Sequence, residues 1–222
     1  MLHCIGDSHA SFFGGMDIMQ PSWPRLAKDS ISCFRCYRIG PVLAYSLARD
    51  GSTSRGRERL FEVLYTLPRG ADILLCFGEI DCRAQLFKQA AKLGRDVGEL
   101  VDECVASYVG VGREIVALGL KVAYWQVPPP TIMVGGESEF PAVGSYEERL
   151  AITLRFNASL AAAASAEGHG WLCVFDILTD ADGRPRQNFF IDGIHLSQQA
   201  MSAARGAAKR AFPHLDFDHA QH

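Results

Sequence analysis

The residues best suited to chemistry stand near the two ends of the chain. Leu2-His3-Cys4-Ile5-Gly6-Asp7-Ser8-His9 lies at the start, and Asp192-Gly193-Ile194-His195 lies close to the end. A serine hydroxyl is a poor nucleophile at neutral pH unless a base takes its proton, and the base works best when a third group orients it. Ser8, His195 and Asp192 supply those three groups. An aspartate and a histidine three residues apart can share one face of a turn, so that pair can be built locally. The serine joins it only if the two ends of the chain meet. The pattern predicts serine-based hydrolysis at a site that tertiary folding must assemble.

Five short apolar runs are candidates to carry these groups: residues 2–5, 32–39, 72–77, 121–127 and 171–175. Their apolarity is continuous rather than alternating, as expected of parallel strands covered on both faces. Helical patterns lie between them, at 41–49, 57–67, 97–118, 146–166 and 197–211, with Ser197 placed to cap the last. Strands alternating with helices predict a flavodoxin-like α/β/α three-layer sandwich around a five-stranded parallel sheet. No repeat, linker or low-complexity tract divides the chain, so residues 1–222 are expected to form one domain. Residues 128–144, rich in Pro and Gly, follow the fourth strand. Such sheets bind ligands beyond the carboxyl ends of their strands. This segment is therefore either one wall of a substrate cleft or a surface excursion.

Composition narrows the function classes. The chain has 222 residues, about half of them apolar (48%), with 21% charged and a net charge of −3. The length suffices for a full core. The charge balance gives no electrostatic case for nucleic acid or an anionic membrane as partner. No apolar stretch is long enough to span a bilayer, and no basic region followed by an apolar one precedes Gly6. The expected location is cytoplasmic. Seven cysteines, an odd number scattered through apolar segments, fit buried thiols in a reducing compartment. Cys33-Phe-Arg-Cys36 has redox spacing but sits in a strand-like run, and is read as structural. The histidines of the tail, His214, His219 and His222, are read as inert.

Taken in order, four segments after strand ends resemble the SGNH, or GDSL, hydrolase family. They are Gly6-Asp7-Ser8-His9, Gly40, Gly78-Glu79-Ile80-Asp81 and Asp192-Gly193-Ile194-His195. Val127-Pro128-Pro129 is similar to the family too. So is the run from Phe175-Asp176-Ile177-Leu178 through Asp182-Gly183 to Phe190-Ile191-Asp192. The resemblance covers essentially the whole chain. It implies Ser8 as nucleophile, His195 as base and then acid, and Asp192 as the group orienting His195. It also implies oxyanion donors from the Ser8 and Gly40 amides, and no cofactor or metal. A glycine at position 40 suits close approach of backbone to ligand, although Gly40 also suits a plain turn before Pro41. The implied substrate is a small-molecule or glycan ester, an acetyl ester of a carbohydrate among the candidates.

The third segment departs from the family pattern. Where the family has an asparagine that donates to the oxyanion, this chain has Ile80, which cannot donate. Loss of one such donor typically costs about 2.7–4 kcal/mol of transition-state stabilisation. Arg83 is a candidate to replace it, since a guanidinium offers several donors in a fixed fork. It could equally bind a substrate carboxylate or pair with Glu79 or Asp81. Glu79, Arg83 and Gln126 are the candidate substrate-binding residues, with Trp125 as a further wall. Four other readings remain. The same three groups could pass an acyl group to a sugar hydroxyl. The fold could bind without turnover. Asp7, His9, Asp81 and His195 could hold a dinuclear metal centre, although no second pair of histidines follows. The segment 9–15 could bind phosphate, although it matches such loops poorly.

Overall fold

The computed structural model describes residues 1–132 and 140–218. Five strands form one all-parallel sheet in the order β2-β1-β3-β4-β5. They are β1 (Leu2–Gly6), β2 (Phe34–Arg38), β3 (Asp72–Cys76), β4 (Lys121–Trp125) and β5 (Gly170–Leu172). Among the described residues six helices join or follow them: α1 (Gly56–Leu64), α2 (Leu86–Leu93), α3 (Val97–Ala117), α4 (Tyr146–Ala166), α5 (Phe175–Leu178) and α6 (Met201–Ala211).

The strands are mostly apolar where both faces are covered, while the edge strand β2 carries the half-buried Arg35 and Arg38, and the side chains sort by a period of two. Ile5, Ile73, Leu75, Val122 and Tyr124 face α1, α3 and α4. Cys4, Leu74, Cys76, Ala123 and Trp125 face α6 and the 3-10 turn Ser8–Gly14. The three-layer sandwich expected from the sequence is the architecture found. Trp125 belongs to this second core: it is 2% exposed and packs its ring on Phe12 and Phe13. Burying a large apolar side chain stabilises the fold by about 1.5–3 kcal/mol. Trp125 is therefore a core residue and forms no wall of a substrate cleft.

Helix starts follow local chemistry. Asp96 caps α3 by accepting from the Glu99 N–H at 3.1 Å. Ser145 and Glu148 cap α4 reciprocally. Two expectations need correction. Residues 41–49 form no helix beyond the single turn Ala44–Ser46, because the buried Asp81 carboxylate accepts the Ala44 and Tyr45 N–H groups at 2.8 and 3.2 Å. Ser197 does not cap with its side chain; its hydroxyl donates to the Asn188 carbonyl at 3.0 Å. The structure also adds α2, preceded by the π-turn Asp81–Gln85.

All seven cysteines are free thiols, Cys33 and Cys36 among them. His214 lies 3.0 Å from Asp72, and His219 and His222 fall outside the described residues. Among the described residues no helix is long and apolar enough to cross a membrane.

Candidate active site

Strand order reverses direction at β1. The crevice beyond its carboxyl end, between β1 and β3, is where an open parallel sheet presents ligand-binding groups. Gly6 lets the two strand ends close up, since a Cβ there would overlap the Cys76 carbonyl. The Asp7 N–H then donates to that carbonyl at 3.3 Å. The Asp7 carboxylate accepts from the His9 N–H at 2.8 Å and starts the 3-10 turn. Ser8, partly exposed, leaves the strand end at the head of this turn.

The structure brings Ser8, His195 and Asp192 together. His195 Nε2 lies 2.8 Å from Ser8 Oγ across 187 positions of sequence, and His195 Nδ1 lies 2.6 Å from Asp192 Oδ2. The other Asp192 oxygen accepts from the N–H groups of Ile194 and His195, at 3.0 and 2.8 Å. Burial by itself would raise the Asp192 carboxyl. The hydrogen bonds from the His195 ring and from these backbone groups overcome that and hold it well below the usual carboxylate range. A permanently ionised Asp192 fixes a proton on Nδ1, leaving Nε2 to accept from the Ser8 hydroxyl.

Gly40 lies beyond the end of β2, the strand beside β1, and the two ends are tied by the Ile39 N–H to Gly6 carbonyl bond at 2.8 Å. Gly40 is buried with φ +105°. Its N–H and that of Ser8 have no hydrogen-bond partner among the described residues. Interior backbone donors are nearly always paired. Two that are not, at adjacent strand ends beside a serine, can receive an oxygen bearing negative charge.

Past β3 the chemistry is different. Ile80 is 3% exposed, and its side chain has no group able to donate. Arg83 Nε donates to Glu79 Oε1 at 2.7 Å, and Nη1 donates to the Phe140 carbonyl. Of the roles open to Arg83, the pairing with Glu79 is the one found. Glu79 Oε2 lies 3.4 Å from His9 Nε2, close but not aligned for a hydrogen bond. Burial raises the Glu79 carboxyl, and its contacts with His9 and Arg83 outweigh that and bring it to about 2. Burial lowers His9, with its contact with Glu79 opposing the fall, and its ring packs against His195 with centroids 5.0 Å apart. Asp81 is fully buried and raised to about 6 by burial, with the Ala44 and Tyr45 N–H groups opposing the rise. It holds the loop after Gly40 rather than any ligand.

Gln126 is also buried, and its carbonyl oxygen accepts from the Val174 N–H at 2.8 Å. It shares with Asp7, His9 and Glu79 a small cavity of about 10 Å³, walled also by Phe77, Val127 and Pro128. One polar side-chain atom of each has no hydrogen-bond partner there. Among the described residues no group of three or more His, Cys, Asp or Glu could hold a metal ion.

The described parts of the segment 128–144 brace the site; residues 133–139 lie outside the described residues. The Thr131 hydroxyl donates to the Gly193 carbonyl, inside the Asp192–His195 segment. Arg149 from α4 donates to the carbonyls of Gly144 and Thr131, at 2.7 and 3.2 Å. Sequence reasoning missed Thr131 and Arg149, and read His9 only as a metal ligand, not as a ring packed on His195. For His9 the signal was available, since it adjoins Ser8. For the other two there was none, because their partners are backbone carbonyls far along the chain.

Two spaces flank the site. A crevice of about 10 Å³ beside Ser8 and His195 is walled by Phe12, Met19 and Ile191. A groove of about 780 Å³ begins at Pro41, next to Gly40, and runs past Arg49, Ser52, Arg59, Gln85 and Phe140.

No protein-family profile and no curated protein sequence matches the chain. Solved structures match it in fold. A variant of an acetyl-xylooligosaccharide esterase from Geobacillus aligns with TM-score 0.61 at 13% identity, over 99% of this chain and 96% of that one. A GDSL-like lipase from Bacteroides thetaiotaomicron aligns with TM-score 0.60 at 13% identity, over 96% and 87%. An aryl esterase from M. smegmatis aligns with TM-score 0.57 at 18% identity, over 97% and 99%. The chain has the SGNH/GDSL hydrolase fold.

Proposed function

We propose that this protein is a serine-dependent ester hydrolase acting on a small acyl ester of a carbohydrate or small molecule. The observation that carries the proposal is the line from Asp192 Oδ2 through the His195 ring to Ser8 Oγ, with links of 2.6 and 2.8 Å. Ser8 Oγ attacks the ester carbonyl carbon as His195 Nε2 takes its proton. The carbonyl oxygen becomes an oxyanion held by the Ser8 and Gly40 N–H groups. Collapse expels the alcohol, which takes the proton from His195, and leaves an acyl group on Ser8. Water then attacks, giving its proton to His195, and the carboxylic acid departs from the regenerated serine. A sugar hydroxyl in place of that water gives acyl transfer with the same parts.

The surroundings support a short acyl group. Room of about 10 Å³ matches one water-sized group, hence a methyl, beside the nucleophile. The larger groove past Gly40 suits the alcohol portion. Phe140 offers it a ring, and Arg49, Ser52 and Gln85 offer hydrogen bonds. The folds this chain shares belong to proteins described as esterases and lipases.

One observation favours a second reading, an SGNH-type binder without turnover: Ile80 removes an oxyanion donor. A fluorophosphonate probe separates the two. It is expected to label the wild type at Ser8, to leave Ser8→Ala unlabelled, and to label His195→Ala hardly at all. A well-folded wild type that resists labelling overturns the hydrolase reading and leaves the binder.

A further inference from the structure

Arg59 stands on the first turns of α1 and reaches back to the end of β2. Its Nη1 donates to the Ile39 carbonyl at 3.0 Å. That carbonyl belongs to the same peptide group as the Gly40 N–H. The two ends of a peptide are coupled by resonance, so a charged donor at the oxygen draws electron density away from the nitrogen. Hydrogen bonds in such a chain polarise one another, and the N–H becomes a stronger donor. We propose that Arg59 is a positioning residue that polarises the Ile39–Gly40 peptide and so strengthens the Gly40 N–H as the oxyanion donor. The proposal rests on the hydrolase reading and deepens it: it answers how the site works with Ile80 in place of a side-chain donor.

Three further observations fit this role. The guanidinium lies against the Gly40 α-carbon, since a Cβ there would come within 2.7 Å of Arg59 Nη1. Glycine at position 40 is favoured by φ +105°, and its lack of a side chain leaves room for the guanidinium. The start of α1 is seated tightly under the loop, because a Cβ on Gly56 would overlap Val42. Arg59 is therefore delivered from a fixed helix and not from a mobile arm. Finally, the Gly40 N–H has no partner among the described residues, so its polarity is available to a ligand. Arg59 acts through the peptide whose carbonyl it grips.

Arg59 also borders the groove past Pro41, which offers a competing role, binding an anionic alcohol portion of a substrate. Steady-state kinetics on a neutral acetyl ester distinguishes the two, using Arg59→Met, which keeps most of the apolar stem, and Arg59→Lys, which keeps the charge. Polarisation predicts that Arg59→Met lowers kcat about tenfold or more with KM within about twofold, and that Arg59→Lys recovers part of kcat. Fluorophosphonate labelling of Arg59→Met should slow in parallel, since the phosphonyl oxygen takes the oxyanion position. Thermal unfolding of each variant checks the fold. Unchanged kcat in folded Arg59→Met overturns the proposal, and so does a rise in KM alone, which assigns Arg59 to the groove. Equal loss in both variants, tracking a fall in Tm, assigns it to structure and overturns the proposal as well. If the wild type itself is not labelled, the hydrolase reading has failed, an outcome separate from all of these.

Discussion

The segments that follow β1 and β3 leave neighbouring strand ends, yet they put their polar groups to opposite uses. Beyond β1, Ser8 is partly exposed and meets a histidine whose partner, Asp192, has half of its side chain in solvent. Beyond β3, Glu79 and Arg83 are 14% and 10% exposed and answer one another at 2.7 Å. The first region keeps donors and an acceptor unspent; the second uses its charges up internally. Between Glu79 and Arg83, Ile80 is buried and part of neither apolar core. The difference teaches that the third segment spends its charges on one another, while the first and last hold the groups proposed to react.

Substitutions test this division most sharply where the expected effects are largest. In the first region, Ser8→Ala and Asp192→Asn should each cost about 10⁴-fold in kcat. Tm should change little, because these groups stand at a partly open surface. A Tm loss that accounts for the lost activity would erase the contrast. In the second region the pattern should invert. Glu79→Gln removes the buried charge that faces both Arg83 and His9, which costs about 3 kcal/mol or more. For a chain of this size that lowers Tm by about 6–12 °C. Activity per folded molecule should fall less than tenfold. A collapse of kcat at unchanged Tm would move Glu79 into the reactive half.

The same variant carries a pH signature. The Glu79 carboxyl is lowered from 4.5 to about 2. A depressed carboxyl stabilises the fold fully above its unfolded value and loses that contribution as pH falls through its folded value. The Tm gap between wild type and Glu79→Gln should therefore be constant above about pH 5 and close between about 4.5 and 2. A gap independent of pH across that window would show that Glu79 contributes no charge-linked stability.

Two smaller effects sharpen the comparison. The tight crevice beside Ser8 predicts that acetyl esters outrun butyryl esters by about tenfold or more in kcat/KM. Equal rates would mean that the acyl group lies elsewhere. Ile80→Asn returns a donor to the third segment and should raise kcat by about two- to tenfold, the range expected of one net hydrogen bond. No gain in a folded Ile80→Asn protein would show that position 80 does not face the oxyanion.

Much of this arrangement was legible before folding. Ser8 after an apolar run, and Asp192 with His195 at a spacing of three, have the residue types that acyl chemistry needs. The five strands were visible as apolar runs, because burial on both faces leaves no room for polar side chains. Helix α2 also had a signal that went unread: Leu86-Phe87-Lys88-Gln89-Ala90-Ala91-Lys92-Leu93 are mostly helix formers, and Gly94 ends them in the left-handed conformation. Residues 41–49 gave a helical pattern that failed for a non-local reason. The carboxylate that pins Ala44 and Tyr45 comes from Asp81, 37 and 36 positions away.

The sequence by itself determined the strands, most of the helices and which residues are the candidate reactive groups. Periodicity, capping and residue chemistry are local properties that a window of a few residues carries. Tertiary structure alone decided that Ser8 meets His195 across 187 positions, that Arg83 answers Glu79, and that Arg59 grips the peptide ending in the Gly40 N–H. Those outcomes depend on strand order and on burial. Strand order selects which loops share the carboxyl edge of the sheet. Burial decides which polar groups must satisfy each other and which remain open to a substrate.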